Sequence, residues 1–336
     1  MLFQVLSIDG VSVDLGSGVT SGAVQQIAGK KFRSITCPEV VTSQASGLCT
    51  DRLLMLPSSR VEVLISYRDQ KGNLVPVRPG AAAVLRTKEV VTGPIGDSWP
   101  AADLAAVQFQ PGSVLTRAVT VKGEAEKMRV PTELSREMAD YNSTAAVDPA
   151  CAPLAPGHMR RIYFAAPTTN PDAFGLAFEE IDEKGNVVGT PATDVSQFDP
   201  MKPTICLSLG TGNTPRVERW QLVNLAGEDH NFHLHQVKFR IVGKDEIAGT
   251  AVPGQVAGRG VMLDNLPLEH AAGTCGNNPP DDATNPITDF RSGLCTPNIV
   301  TVEIPFTIAG DFVYHCHIME HEDGGMMARI RVRASR

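Results

Sequence analysis

No histidine precedes His158, so imidazole chemistry is confined to the second half of the chain. Aromatic residues make up only 5% of the sequence, and its Trp residues, Trp99 and Trp220, have no histidine beside them. No run is long and apolar enough to span a membrane as a helix. Positive charge is not in excess: the formal net charge is −7, which argues against nucleic acid and against an anionic membrane surface as partners. The opening Met1–Val13 lacks the basic stretch and small-residue cleavage site of a signal peptide. The 10 Met residues are scattered, which excludes a Met-rich metal-scavenging insert.

What is present describes a β-rich globular chain. Its 336 residues suggest two domains. Hydrophobic residues at 42%, with a mean hydropathy of −0.05, are enough for real cores. The 24 Pro and 30 Gly fit many turns. Asp9-Gly10 between apolar runs is a hairpin turn. Short strands follow at Val61–Tyr67, Val84–Val91 and Val114–Val121, at the spacing of a sandwich or barrel. Residues 1–125 carry no metal motif and read as a spacer and docking surface. Residues 126–157 turn Pro/Ala-rich and read as a linker, and 158–336 form the second domain. There Val217–Leu225 and Phe232–Val242 read as strands and 273–297 as a long surface loop. Gly210-Thr-Gly212 leads into a strand, not a helix, and is not a nucleotide loop.

The chemistry concentrates in two stretches. In Asp311-Phe-Val-Tyr-His315-Cys316-His317, a strand by its aromatic and β-branched content, Cys316 points to one face while His315 and His317 share the other. His321 and Met326 follow closely. In His230-Asn-Phe-His233-Leu-His235, His233 and His235 share a face and His230 falls on the opposite one. The parities match: His230 can join Cys316, His321 and Met326, and His233 and His235 can join His315 and His317. Two imidazoles and a thiolate with a weak axial thioether are the ligand set of blue copper.

Together, the spacings His230-x-x-His233-x-His235 and His315-Cys316-His317-x-x-x-His321-x-x-x-x-Met326 resemble the C-terminal copper signature of the laccase-like multicopper oxidases. The resemblance implies an all-β fold of two cupredoxin-like Greek-key sandwich or barrel domains, corresponding to the family's middle and C-terminal domains, the first incomplete. It implies type 1 copper on His230, Cys316 and His321 with Met326 axial. It gives His233 to type 2 copper, and His235, His315 and His317 to type 3 copper. Glu322 matches an acidic residue that relays protons. The family draws its remaining imidazoles from an N-terminal domain with His-Trp-His-Gly, which this sequence lacks. The expectation is a truncated, cleaved or incomplete chain whose type 2/type 3 cluster needs a missing N-terminal domain or a neighbouring subunit.

The implied reaction is one-electron oxidation of a phenol, an aromatic amine or a metal ion docked near His321, coupled to reduction of dioxygen to water. The competing reading is a type 1 electron-transfer or binding module without oxidase activity. A zinc cage fits the Met and the odd cysteine poorly.

With Cys316 assigned to metal, six of the 7 cysteines remain, which suits disulfides in a periplasmic or secreted protein. Cys37/Cys49 and Cys275/Cys295 close turn-rich loops and are the preferred pairs. Cys151 and Cys206 are left over, to pair together or with a missing domain; reduced buried thiols are the alternative. His158 and His270 read as solvated loop residues. Asp264 precedes the long loop that should border the type 1 site; it reads as a loop-solvating carboxylate, the alternative being that it accepts a proton from a phenol.

Overall fold

The computed structural model describes residues 2–8, 11–12, 35–36, 48–50, 60–69, 71, 73–79, 82–93, 96, 98–108, 115–117, 151–170, 172–201, 205–242, 262–270 and 285–335. Among them the chain is all-β apart from short helical turns. Of the stretch 126–157 read as a linker, residues 126–150 lie outside these residues.

In the first part, β1 (Leu2–Ile8) pairs with β2 (Val11–Ser12) in the register Ile8↔Val11, the hairpin expected at Asp9-Gly10. β3 (Ile35–Thr36) and β4 (Leu48–Thr50) join β1 on one side, and β5 (Val61–Ser66) and β10 (Leu115–Arg117) on the other. β5 buries Val63 and Ile65, the alternation of a half-buried strand. β6 (Ala82–Arg86) with β9 (Asp103–Gln108), and β7 (Val90–Val91) with β8 (Ser98–Trp99), make separate two-stranded ribbons.

Residues 151–335 hold two further sheets, one of six strands and one of five. One contains β11 (Met159–Ala165), β12 (Gly175–Ile181), β13 (Val187–Val188), β15 (Arg216–Asn224), β17 (Arg240–Ile241) and β19 (Asn298–Phe306), in the order β13-β12-β11-β15-β19-β17. The other contains β14 (Ile205–Ser208), β16 (His230–Leu234), β18 (Asn265–Leu268), β20 (Gly310–Cys316) and β21 (Met327–Arg333), in the order β14-β21-β20-β16-β18. Their inner faces share one core that includes Phe164, Trp220, Leu222, Phe232, Tyr314 and Ile330. Alternation sets the faces: β21 buries Ala328, Ile330 and Val332 and turns Arg329 and Arg331 outward onto Asp311. The packing is that of a β-sandwich, the all-β fold class implied by the resemblance. Burial of the apolar faces is the principal stabilisation, at about 25 cal/mol per Å².

Two sequence expectations need correction. The run 232–242 is not one strand: β16 ends at Leu234, Gln236 takes φ 74°, and the chain crosses to the other sheet at β17. Positive φ at a non-glycine residue ends the strand pattern, and no turn glycine marks the place. Nor is 273–297 wholly loop. Helix α1 (Pro286–Arg291) lies inside it, started by the Asn285 side chain, which accepts from the Ile287 and Thr288 N–H groups, and by proline in its first turn. α1 buries Ile287 against Tyr163, Val223 and Leu225 on the outer face of the six-stranded sheet. His158 and His270 are partly exposed loop residues, and each faces a carboxylate: His158 faces Glu180, and His270 Nδ1 lies 2.7 Å from Asp229.

Cys151 and Cys206, the leftover pair, form a disulfide. Cys295 is also disulfide-bonded. Cys37 and Cys275 lie outside the described residues, as does the side chain of Cys49, so the two preferred pairings are not resolved. No helix among the described residues is long and apolar enough to cross a membrane.

Candidate metal centre

β16 and β20 are antiparallel neighbours in the register Phe232↔Cys316 and His233↔His315. Cross-strand partners share a face. Cys316 therefore lies with Phe232 and His230 toward the core, and His315 lies with His233 on the outer face. The parity expected from sequence is realised.

On the inner side, His230 Nδ1 and His321 Nδ1 stand 2.8 Å apart, and Cys316 Sγ lies 3.8 and 3.4 Å from them. All three residues are buried, and Cys316 is the free cysteine of the described residues. His321 comes not from a strand but from α2 (Met319–Asp323), the turn that follows β20. Met326 is fully buried, donates its N–H to the His321 carbonyl and accepts from the Cys316 N–H. Asn231 N–H donates to Cys316 Sγ at 3.3 Å, a bond that suits a thiolate.

Aromatic rings close the pocket. Phe174 stacks on His321 at 4.1 Å between centroids, and Phe164 lies parallel to His230 at 6.0 Å. Burial and the neighbouring His321 hold the His230 imidazole well below its usual range. Burial also pushes His321 down, but Cys316 Sγ and the Glu228 carboxylate prevail and raise it to about 9 in the metal-free chain.

On the outer side, His233, His235, His315 and His317 form a continuous cluster. His235 Nε2 and His315 Nε2 are 3.1 Å apart, and the His233 and His317 ring centroids are 5.0 Å apart. Glu322 Oε2 lies 3.2 Å from His315 Nδ1 and 3.8 Å from His317 Nδ1. Burial lowers His315 to about 3, against the pull of the Cys316 carbonyl, and burial also lowers His233 and His235. These imidazoles are neutral at neutral pH, the state in which nitrogen binds a metal.

Each of the three ligand groups, His230/Cys316/His321, His233/His235/His315 and His315/His317/Glu322, has its donor atoms within 4.8 Å of one another. The inner group offers two imidazole nitrogens and a sulfur across a dry pocket. That donor set fits a soft or borderline ion such as copper.

Sequence reasoning missed the supporting residues. Asp264 supports the outer group. Its backbone carbonyl lies 2.8 Å from His233 Nδ1, in position to accept that N–H, and its carboxylate pairs with Arg60 at 2.7 Å. Glu228 Oε2 stands 3.4 Å from His321 Nε2. Glu228 lies only two residues before His230, but no spacing rule marks it as a partner of His321. His321 itself is 2% exposed, covered by Phe174 and flanked by Glu228.

A β-sandwich sheet with a buried Cys/His/His group on one face and an imidazole cluster on the other defines an all-β protein with candidate metal-binding groups back to back. A family model described as multicopper oxidase matches residues 292–336, which include β20 and α2. The chain is 26% identical over 233 residues to multicopper oxidase LPR1 homolog 5 of Oryza sativa subsp. japonica, covering 66% of this chain and 32% of that protein. It is 25% identical over 141 residues to multicopper oxidase mco of Staphylococcus haemolyticus, covering 41% of this chain and 23% of the relative. Among solved structures it is similar to the McoA multicopper oxidase 2F4 variant from Aquifex aeolicus, at 14% identity and a TM-score of 0.42, covering 99% of this chain and 50% of that one. The chain is thus similar to multicopper oxidases, with the family model matching its C-terminal stretch. It spans about a third or less of the length of these two curated relatives.

Proposed function

We propose that this chain carries the electron-accepting half of a laccase-like oxidase. In this reading His230, Cys316 and His321 would hold a type 1 copper, and the buried Met326 would add a weak thioether donor. His233, as the type 2 ligand, and His235, His315 and His317, as type 3 ligands, supply part of a second, oxygen-reducing copper cluster. The observation that carries the reading is the convergence of two Nδ1 atoms and one Sγ in a water-excluding pocket directly behind an imidazole cluster.

Copper, when bound, supplies the one-electron couple and, in the cluster, the reduction of dioxygen to water. The residues do the rest. Asn231 N–H holds the Cys316 sulfur in place. Phe164 and Phe174 keep water away. The unbroken backbone from Cys316 to His315 and His317 joins the two faces covalently. Glu322, beside His315 and His317, is placed to hand protons to the outer face. The donor is a phenol, an aromatic amine or a metal ion, and the remaining imidazoles come from an N-terminal cupredoxin domain or a neighbouring subunit. A periplasmic or secreted location agrees with the Cys151–Cys206 disulfide.

The second reading, a type 1 module without oxidase activity, rests on the same inner group and on the absence of histidine before His158. Copper titration followed by visible absorption and metal analysis separates them. One copper per chain with an intense sulfur-to-copper band is expected of the isolated chain in both cases, and further copper with oxidase activity only in the first, once the missing imidazoles are supplied. No visible band on copper loading would overturn both readings.

A further inference from the structure

Copper bound by Nδ1 fixes the chemistry of the other imidazole nitrogen. A neutral ring carries one N–H, so if Nδ1 of His321 is the ligand atom, the proton sits on Nε2. Nε2 faces Glu228 Oε2 at 3.4 Å, inside a site where the His321 side chain is 3% and the Glu228 side chain 12% exposed.

The turn that carries Glu228 is held from several directions. Asn224 Nδ2 donates to the Glu228 carbonyl at 2.9 Å, and the Ala226 N–H donates to Asn224 Oδ1. Asp229 N–H donates to the Thr92 carbonyl at 2.6 Å, and Asp229 Oδ1 accepts from the His270 N–H at 2.9 Å. Gly93 packs so closely on Gly227 that an added Cβ would meet the Gly227 carbonyl oxygen at 2.3 Å. A carboxylate placed this firmly beside the free edge of a ligand imidazole is a defined partner of that ligand.

We propose that Glu228 is a positioning residue for the copper centre: it holds His321 in the tautomer that presents Nδ1 to the metal, and its charge favours the oxidised ion. Hydrogen-bonded carboxylates behind ligand imidazoles orient the ring and raise its basicity. A fixed negative charge near the ion stabilises Cu(II) over Cu(I) and so lowers the reduction potential. At low exposure, solvent screens that effect little.

This inference rests on the type 1 reading, and one experiment separates the two. Copper-loaded wild type, Glu228→Gln, Glu228→Asp and Glu320→Gln are compared by redox titration of the visible band. Glu320 is exposed on the same helical turn as His321, so Glu320→Gln removes an equal charge without contact. Glu228→Gln should keep the band and lose preference for Cu(II) by about tenfold, a rise of about 59 mV for a one-electron couple. Glu228→Asp, which keeps the charge, should stay nearer the wild type, and Glu320→Gln should match it. A Glu228→Gln potential equal to wild type, or a Glu320→Gln shift as large, overturns the role of Glu228 while leaving the copper reading intact. Wild type with no sulfur-to-copper band overturns the reading beneath it.

Discussion

Replacing Cys316 with serine keeps the size of the side chain and removes the thiol that lies beside His230 and His321. The expected outcome is a folded chain without the sulfur-to-copper band, checked by visible absorption and far-ultraviolet circular dichroism. An unchanged band would mean that another sulfur is the ligand. Met326→Leu is close to volume-conserving in a fully buried position and should cost less than about 1.5 kcal/mol. It should keep the band and raise the reduction potential, since an axial donor is lost. A fall in potential, measured by redox titration, would refute the axial assignment. The facing of His230, His233, His315 and Cys316 was legible because strand parity converts sequence spacing into faces. Glu228, Asp264 and Phe174 were not, because a partner that reaches a ligand from another element leaves no period in the sequence.

At the scale of elements, α1 is the part that sequence pattern concealed. Its six residues are too few for a helical period to stand out, and a turn-rich segment precedes it. Its Asn-Pro start was the available signal. Asn285→Ala should destabilise the chain by about 1 kcal/mol, seen as a lower denaturant midpoint, with the copper band unchanged because α1 packs on the sheet face away from the inner ligands. An altered band would show that α1 supports the site. The β16–β20 pair also makes a pH prediction for the metal-free chain. His315 titrates at about 3 when folded against 6.5 for the ordinary group, so the unfolded chain binds more protons between those values. This contribution is complete above 6.5 and is lost as the pH falls toward 3. His321, raised to about 9, has the opposite sign: its contribution is full below 6.5 and lost as the pH rises through 9. The denaturant midpoint should therefore drop between about pH 7 and about pH 4, and drop less in His315→Gln. Equal slopes in the two proteins would contradict the assignment.

For the whole molecule, the first part of the chain touches both faces of the candidate centre. Arg60 reaches Asp264 behind His233, and Thr92 holds the turn before His230. The reading of residues 1–125 as a docking surface drew on the absence of any metal motif. These contacts had no sequence signature, because they join residues far apart in the chain. If the proposed function holds, the purified chain should bind type 1 copper yet fail to reduce dioxygen to water, for want of imidazoles on the outer face. An N-terminal cupredoxin domain added in trans should restore turnover, followed as oxygen consumption with a phenolic donor. Full turnover by the chain alone would place the missing ligands in a neighbouring copy. The Phe174 cover carries this interdependence into the ligand motif itself. Gly324 has an ordinary helical backbone, φ −72° and ψ −5°, yet a Cβ there would meet the Phe174 ring at 2.6 Å. Phe174 N–H in turn donates to the Gly324 carbonyl. The gap between His321 and Met326 is thus a mould of a ring contributed from far upstream. Grafted onto a sandwich with no aromatic at that place, the same run of ligands would arrive with its spacing intact and its wall missing.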